Sequence, residues 1–273
     1  TQAEDILNQF TDNPRKDNSL LEQLFALLPR KMKNVADYLL PADAEPEQIQ
    51  NVIDRETDLL RMMETQMQAL PSNDSKEKTL LEEWNLSITP VNNEKELRQI
   101  KRHMGHSADC FSKAFRVKNS NRDNAFWNYY DKHNYHKEDI HYWYHGSRNM
   151  NCLSILHNGL ILNPKAPKVG HMFGYGIYLA PKAKKSIGYT SLNGSFWVHG
   201  TSDTAYLFVM KTVYKSPYHV YTWTSGMKSL TKSRISPHDA VFAHAGTSLR
   251  NDEVVIFDDA QVTLQYIIEL KQQ

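Results

Sequence analysis

The sequence of 273 residues has few cysteines, almost no net charge and no long hydrophobic run. Two cysteines, Cys110 and Cys152, are too few for a disulfide framework, and they predict a reducing, intracellular compartment. Lys and Arg number 32 against 31 Asp and Glu, and the formal charge of +1 excludes a strong overall attraction to nucleic acid or acidic membranes. The uncharged residues 186–202 include His, Asn, Ser and Gly, so no membrane span is predicted.

The first 70 residues carry apolar side chains at helical spacing. Pro46, which follows acidic residues, is typical of a helix start, and Pro71 is typical of a helix end. The polar residues 71–78 predict a connection, so we expect a small all-helical domain over residues 1–78. The apolar positions are Leu20, Leu21, Leu24, Phe25 and Leu28 in one helix, and Ile49, Val52, Ile53, Leu59, Leu60, Met63, Met67 and Leu70 in the next.

From residue 79 the pattern changes to short segments rich in aromatic and β-branched residues, which predict strands. Residues 93–106 predict a helix, and residues 225–247 predict a loop-rich insert. Strands that follow a helical region indicate an α+β fold, with a mixed, mostly antiparallel domain over residues 79–273. The predicted strands are residues 84–91, 142–144, 205–213, 218–223, 253–257 and 262–270.

The first motif is His145-Gly146-Ser147-Arg148, between a predicted strand and a predicted helix over residues 152–158 that Gly159 ends. Glycine at such a turn lets the backbone approach a ligand closely, and His and Ser can hydrogen-bond to hydroxyl groups. Taken alone, the motif is more typical of an ordinary strand-to-helix turn whose histidine is hydrogen-bonded within the protein.

The second motif, Gly174-Tyr175-Gly176-Ile177-Tyr178, predicts a tight loop that enters a strand. It is neither a Walker A loop nor a dinucleotide fingerprint, because no helix opens at the last glycine and no Lys-Ser/Thr pair follows. Tyr178 and Tyr189 lie eleven residues apart on either side of a predicted helical turn containing Ser186. Two tyrosines can hold a planar ring between them, and core packing is the alternative.

The third motif is Glu253 before the apolar residues Val254 to Phe257. A desolvated carboxylate is costly without a partner, and functional carboxylates often occupy such positions. The alternative is a glutamate that ends a loop at the solvent edge.

Together and in this order, the three motifs closely resemble the catalytic domain of poly(ADP-ribose) polymerases over residues 79–273. Asn151, Lys185-Ser186, Tyr189 and Ala260-Gln261-Val262 add to the resemblance. Residues 1–78 resemble a shortened form of the regulatory helical domain of the DNA-damage-responsive members. The resemblance implies the two-sheet, mostly antiparallel ADP-ribosyltransferase fold, with a helical domain that restricts NAD entry or merely covers apolar surface.

The resemblance implies that NAD is the co-substrate, that the bond between nicotinamide and ribose is cleaved, and that ADP-ribose is transferred. Glu253 would stabilise the developing positive charge on the ribose and orient the acceptor, with His145 and Tyr178 as the other catalytic residues. Gly146 and Ser186 would hold the nicotinamide amide, Tyr189 would stack on its ring, and Tyr178 would line the opposite wall. The implied NAD-binding residues are His145, Gly146, Ser147, Asn151, Tyr178, Lys185, Ser186 and Tyr189.

No metal is expected, because the spacing of His133, His136 and His141 is not convincing for zinc. The resemblance implies protein acceptors, including the chain itself, and leaves nucleic-acid ends open as further partners; no membrane is involved. We expect an intracellular protein, nuclear in a eukaryote and cytoplasmic in a bacterium.

In this family, His, Tyr and Glu together accompany polymer synthesis, so the intact trio favours chain elongation. His171 and Asn251 stand where strong polymerases commonly have tyrosines, and the short segment from Asn163 to Lys168 lacks an arginine often found near its start. A mono-ADP-ribosyltransferase is therefore the main alternative. A non-catalytic ADP-ribose or nucleic-acid binding module is another.

Overall fold

The computed structural model describes residues 2–272 apart from 12, 29, 31, 33, 69–77 and 163–171. Up to residue 68, the helices are α1 (Gln2–Leu7), α2 (Pro14–Leu27) and α3 (Pro46–Gln68). The two helices predicted from apolar spacing are confirmed as α2 and α3. The end of the second helix beyond residue 68 and the connection over residues 71–77 lie outside the described residues.

The start of α2 shows why the chain becomes helical there. The Asn13 side chain accepts hydrogen bonds from the backbone N–H groups of Arg15 and Lys16, and Pro14 occupies the first turn. Both features suit a helix start, because the first N–H groups have no partner within the helix. Helices α2 and α3 then bury their apolar faces in two small clusters. The buried members are Leu20, Leu21, Leu24, Leu40, Ile49, Ile53 and Leu60, with Ala3, Ile6 and Leu7 of α1.

Among the described residues, the strands from residue 86 onward form two sheets. The first has the order β1 (Leu86–Pro90), β2 (Phe111–Asn119), β9 (Val262–Lys271), β5 (Thr204–Val213) and β3 (Ile140–Gly146). The second has the order β4 (Ile177–Leu179), β8 (Glu253–Ile256), β7 (Ala240–Ala243) and β6 (Pro217–Val220). The described pairings are antiparallel except β6 with β7, so the predicted α+β class with mostly antiparallel sheets is confirmed.

Helices and turns connect these strands. The helices are α4 (Leu80–Glu83), α5 (Glu94–Met104), α6 (Ser120–Lys132), α7 (Cys152–Asn158) and α8 (Ala183–Ile187). Helix α5 confirms the helix predicted over residues 93–106. Helix α7 ends at Gly159, whose φ of 71° lies in the left-handed region that favours glycine.

Two sequence predictions in the second sheet were incomplete. The loop-rich insert predicted over residues 225–247 also contains strand β7, and the strand predicted over residues 218–223 ends at Val220. Strand β7 has only four residues, two of them alanines, so its own sequence carries little strand signal. Burial between β6 and β8 makes it a strand.

The two sheets pack face to face, and one bridge joins them at the site-bearing end. Tyr144 of β3 exchanges two backbone hydrogen bonds of 2.9 Å with Ala180, which directly follows β4. The core between the sheets includes Leu179, Phe208, Met210, Val254 and Ile256. No helix in the described ranges combines the length and the apolar character needed to cross a membrane.

Candidate active site

The bridge between the sheets brings the first two sequence motifs together. Since Tyr144 pairs with Ala180, the next residue on β3, His145, lies beside the end of β4. His145 Nδ1 lies 3.1 Å from the Tyr178 carbonyl oxygen. A carbonyl only accepts, so Nδ1 carries the proton and Nε2 of the neutral ring is left as an acceptor. Burial lowers the pKa of His145, which favours this neutral form.

Gly146 lies against the backbone of α8. A Cβ atom at this position would lie 1.7 Å from the Ser186 carbonyl oxygen, a distance that no side chain can tolerate. The Ser186 hydroxyl donates a 3.0 Å hydrogen bond to the Tyr144 carbonyl, which ties α8 to β3. The glycine of the first motif is therefore required for close packing of β3 on α8, and Gly146 and Ser186 are brought together as predicted.

Ser147 and Asn151 form a second contact within the first motif. The Asn151 amide Nδ2 donates a 2.7 Å hydrogen bond to the Ser147 hydroxyl oxygen. Asn151 is buried, and its Oδ1 has no hydrogen-bond partner among the described residues. A buried acceptor without a partner costs free energy, so Oδ1 is suited to receive a hydrogen bond from a ligand.

Tyr178 fixes the glycine-rich loop of the second motif. Its hydroxyl accepts a 2.9 Å hydrogen bond from the Phe173 backbone N–H and donates a 2.8 Å bond to the Gly174 carbonyl. Burial is the main cause that raises the pKa of Tyr178 above its usual value, with the nearby Glu253 charge acting in the same direction, so the phenol stays neutral. Gly170 and His171 lie outside the described residues.

Glu253 is the first residue of β8 and is 8% exposed, so it is not a glutamate at a solvent edge. Its Oε1 forms an ion pair with Lys185 Nζ of α8. Lys185 is thus the partner that a buried carboxylate requires. This contact joins the third motif to the helical turn that also carries Ser186.

Tyr189 lies at the mouth of this site and is 37% exposed. Partial burial raises its pKa to about 12, and the negative charges of Glu253 and Asp54 add to the shift. The ring is nearly parallel to that of Trp197, with centroids 5.8 Å apart. No sequence motif indicates Trp197, because it lies in an irregular loop between α8 and β5.

Helix α3 contributes charged groups to the edge of the site, and no sequence motif marks them. Asp58 Oδ2 accepts a 2.9 Å hydrogen bond from Arg148 Nη1. The negative charge of Asp58 also favours protonation of His145, which partly offsets the lowering of the His145 pKa by burial. Asp54 lies one turn earlier on α3 and is exposed to solvent. The protein around its carboxylate nevertheless removes part of its hydration, and this desolvation raises the pKa of Asp54 to about 6. The two acids stand four residues apart, a spacing that places them on one helix face. In the sequence this face looks like an ordinary solvated one.

The site therefore consists of four contacting pairs on β3, the turn between β3 and α7, β4, α8 and β8, with Tyr189 at its mouth. Across the described parts of the chain, no group of three or more His, Cys, Asp or Glu side chains is arranged to hold a metal ion. The four pairs are His145 with Tyr178, Gly146 with Ser186, Ser147 with Asn151, and Lys185 with Glu253.

Residues 94–272 match the family model of the poly(ADP-ribose) polymerase catalytic domain. Because this match covers more than half of the 273 residues, the chain belongs to the poly(ADP-ribose) polymerase family. The resemblance drawn from the motifs is confirmed, and every residue predicted for the NAD pocket lies inside the matched segment.

Individual relatives show the same similarity. The chain is 31% identical over 147 residues to the poly [ADP-ribose] polymerase of Drosophila melanogaster, across 47% of this chain and 15% of the relative. It is 25% identical over 225 residues to poly [ADP-ribose] polymerase 2 of Arabidopsis thaliana, across 70% of this chain and 34% of the relative. To poly [ADP-ribose] polymerase 2 of Homo sapiens it is 47% identical over 57 residues, across 19% of this chain and 10% of the relative. The chain thus spans a minor part of the length of these relatives.

Proposed function

We propose that this chain is an NAD-dependent ADP-ribosyltransferase that cleaves the nicotinamide–ribose bond and transfers ADP-ribose to macromolecular acceptors. The observation that carries the proposal is the buried Glu253, held by Lys185 in a site that also contains His145 and Tyr178. Family membership supports the same reaction.

Glu253 acts on the charge that develops during bond cleavage. Loss of nicotinamide builds positive charge on the ribose, as in glycoside cleavage. The carboxylate stabilises that charge more in the transition state than in the ground state, which lowers the barrier. Lys185 contacts Oε1, so Oε2 can accept a hydrogen bond from the ribose 2′-hydroxyl or from an acceptor hydroxyl.

The other pairs bind and orient NAD. His145 offers Nε2 as an acceptor to ribose hydroxyls, most naturally on the adenosine side, where the Asn151 Oδ1 acceptor and the Ser147 hydroxyl add further contacts. The Gly146 backbone and the Ser186 hydroxyl oxygen receive the nicotinamide amide. Tyr189 stacks on the nicotinamide ring, and Tyr178 lines the opposite wall.

We further propose that the product is an oligomer or polymer of ADP-ribose, on the basis of the His145, Tyr178 and Glu253 trio. The second candidate is transfer of a single ADP-ribose unit. Asn251 favours it, because the family's strong polymerases commonly have tyrosine at this position. Sizing the products formed from radiolabelled NAD separates the two. A ladder of products supports elongation, and a single labelled band on the acceptor supports mono-transfer.

Residues 1–78 act, in this proposal, as a regulatory helical domain on a catalytic domain of residues 79–273. Helix α3 packs against α7 and the turn before it, and Asp58 pairs with Arg148 directly after the first motif. A helix held at this position restricts NAD entry, and an activating signal shifts the population toward an open state. Removal of residues 1–78 is then expected to raise basal activity.

We propose that the acceptors are proteins, including the chain itself. Nucleic-acid ends are a second class of acceptor, which the experiment below also tests. We place the protein inside the cell, in the nucleus of a eukaryote or the cytoplasm of a bacterium, because Cys110 and Cys152 are both unpaired. Incubation with labelled NAD, with and without broken DNA, tests the reaction, and Glu253→Gln is the matched control. Absence of nicotinamide release from the unaltered chain would overturn the proposed activity.

A further inference from the structure

A cavity of about 290 Å³ lies between the residues that follow β3 and the loop that joins α8 to β5. None of its lining residues belongs to the predicted NAD pocket. Arg148 is the one residue of the lining that carries a formal charge, and the lining contains no Asp or Glu. The lining includes Arg148, Asn149, Ser191, His199, Thr201 and Ser202.

The cavity offers donors to an anion. Among the described residues, the hydrogen bond to Asp58 uses one of the five guanidinium N–H donors of Arg148, which leaves the others for a ligand. The Ser191 hydroxyl oxygen accepts a 2.9 Å hydrogen bond from the Asn149 backbone N–H, so its own proton is available for donation. The Thr201 side chain is exposed at the cavity. An arginine with neighbouring hydroxyls is a characteristic phosphate-binding set.

The same cavity offers acceptors to hydroxyl groups. Asn149 Oδ1 is buried and has no partner within the described part of the chain, while its Nδ2 donates to the Thr204 carbonyl at 2.8 Å. The Ser202 hydroxyl also donates to the Thr204 carbonyl, at 2.7 Å, and its oxygen accepts a 3.5 Å hydrogen bond from Asn149 Nδ2, which leaves one lone pair for a ligand donor. Neutral acceptors of this kind suit sugar hydroxyls, and a pentose offers more hydroxyl donors than inorganic phosphate does.

The backbone of the α8–β5 loop fixes the wall of the cavity. Gly200 N–H donates a 2.8 Å hydrogen bond to the Ser195 hydroxyl, and a Cβ atom at Gly200 would lie 2.4 Å from the Ser191 backbone. Since the loop packs this closely on residue 191, the cavity is formed before any ligand arrives. Its volume is at the lower end for small-molecule sites, which fits one phosphorylated sugar but not a dinucleotide such as NAD.

We propose that this cavity binds a pentose phosphate and that binding competes with helix α3 for Arg148. The phosphate takes the guanidinium, and the sugar hydroxyls donate to Asn149 and Ser202. Arg148 also pairs with the Asp58 carboxylate, and two anions beside one guanidinium repel each other, so each partner weakens binding of the other. By linkage, the ligand loosens the docking of α3, and undocking of α3 strengthens ligand binding.

Calorimetric titration of the full chain with ribose 5-phosphate, without NAD, tests this site independently of any transferase activity. Binding is expected, and it is expected to be weaker for ribose or inorganic phosphate alone. Thr201→Glu places a negative charge at the cavity and should weaken binding by at least about tenfold. Thr222→Glu, at an exposed position that does not line the cavity, is the matched control and should leave affinity unchanged.

Two further variants locate the ligand and test the coupling. His145→Ala alters the predicted NAD pocket and should not change the affinity for ribose 5-phosphate; a loss there would place the ligand in the NAD pocket and overturn the proposal. Asp58→Asn frees Arg148 and should tighten binding by about fivefold. Amide hydrogen exchange in residues 46–68 should speed up when ribose 5-phosphate is added. No binding to the unaltered chain, equal binding by Thr201→Glu, or no gain in Asp58→Asn would each overturn it.

Discussion

Lys185 Nζ and Glu253 Oε1 form an ion pair in which each side chain keeps only 11% of its surface exposed. The two residues come from different elements, α8 and β8, and are separated by 68 positions in the sequence. Burying a lone carboxylate is costly, so the lysine explains how a charged glutamate is kept at the start of a buried strand. The pair also joins the residue proposed to stabilise ribose charge to the helix proposed to hold nicotinamide.

Glu253→Gln should remove chain elongation and most transfer. The neutral amide cannot stabilise developing positive charge, so we expect turnover to fall by at least about a hundredfold. Nicotinamide binding should remain largely intact, because Gly146 and Ser186 are unchanged. Product sizing with labelled NAD and calorimetry with nicotinamide check both parts. Unchanged product lengths would contradict the role of Glu253.

Lys185→Met should destabilise the chain by about 3 kcal/mol, because Glu253 is left buried without its cation. Adding Glu253→Gln to this variant should recover part of the loss, since the uncompensated charge is then gone. The free energy of unfolding in denaturant measures both effects. Lys184→Met, at the exposed neighbouring position, serves as the control and should change stability little. Equal losses in the two lysine variants would show that the ion pair does not hold α8.

Gly146→Ala should destabilise the protein by roughly 1–3 kcal/mol and reduce NAD turnover. The added Cβ overlaps the Ser186 carbonyl, so α8 must move away from β3. Gly226→Ala is a matched control, because a Cβ at Gly226 meets nothing within 4 Å. Thermal unfolding and nicotinamide release report the two effects. A Gly146→Ala variant as stable and as active as Gly226→Ala would refute the packing argument.

Asp58→Asn should raise basal NAD turnover several-fold. The substitution removes the charge that holds Arg148, so α3 spends more time away from the catalytic domain. Asp43→Asn changes an exposed acid of the helical region without touching Arg148 and is the control. Nicotinamide release in the absence of any activator measures the difference. Equal basal rates in the two variants would favour the view that the helices only cover apolar surface.

Much of the fold could be predicted from local pattern. Helices α2 and α3 follow from apolar spacing, and long strands such as β5 and β9 follow from runs of β-branched and aromatic residues. Strand β7 could not be predicted, because its short Ala-Val-Phe-Ala sequence becomes a strand only between its neighbours. Local propensity is a weak guide where tertiary packing decides the structure.

The site could be predicted in part for a similar reason. Glycines and a buried-strand glutamate are local signals, so the three motifs were visible in the sequence. The need of Glu253 for a partner was also predictable, but the identity of Lys185 depends on how α8 packs beside β8. Asp58 and Trp197 carry no local signal, since an acid on an amphipathic helix and an aromatic residue in a loop are both ordinary.

The backbone bridge between Tyr144 and Ala180 has a consequence for substrate affinity. His145 belongs to one sheet and Tyr178 to the other, so the width of the pocket depends on the angle between the sheets. Side chains such as Phe208 and Ile256 help to set that angle, because they are fully buried between the sheets, and neither belongs to the predicted NAD-binding residues. Substitutions at those interior positions are therefore expected to change the separation of His145 and Tyr178, and with it the KM for NAD, although every residue of the proposed pocket is unchanged.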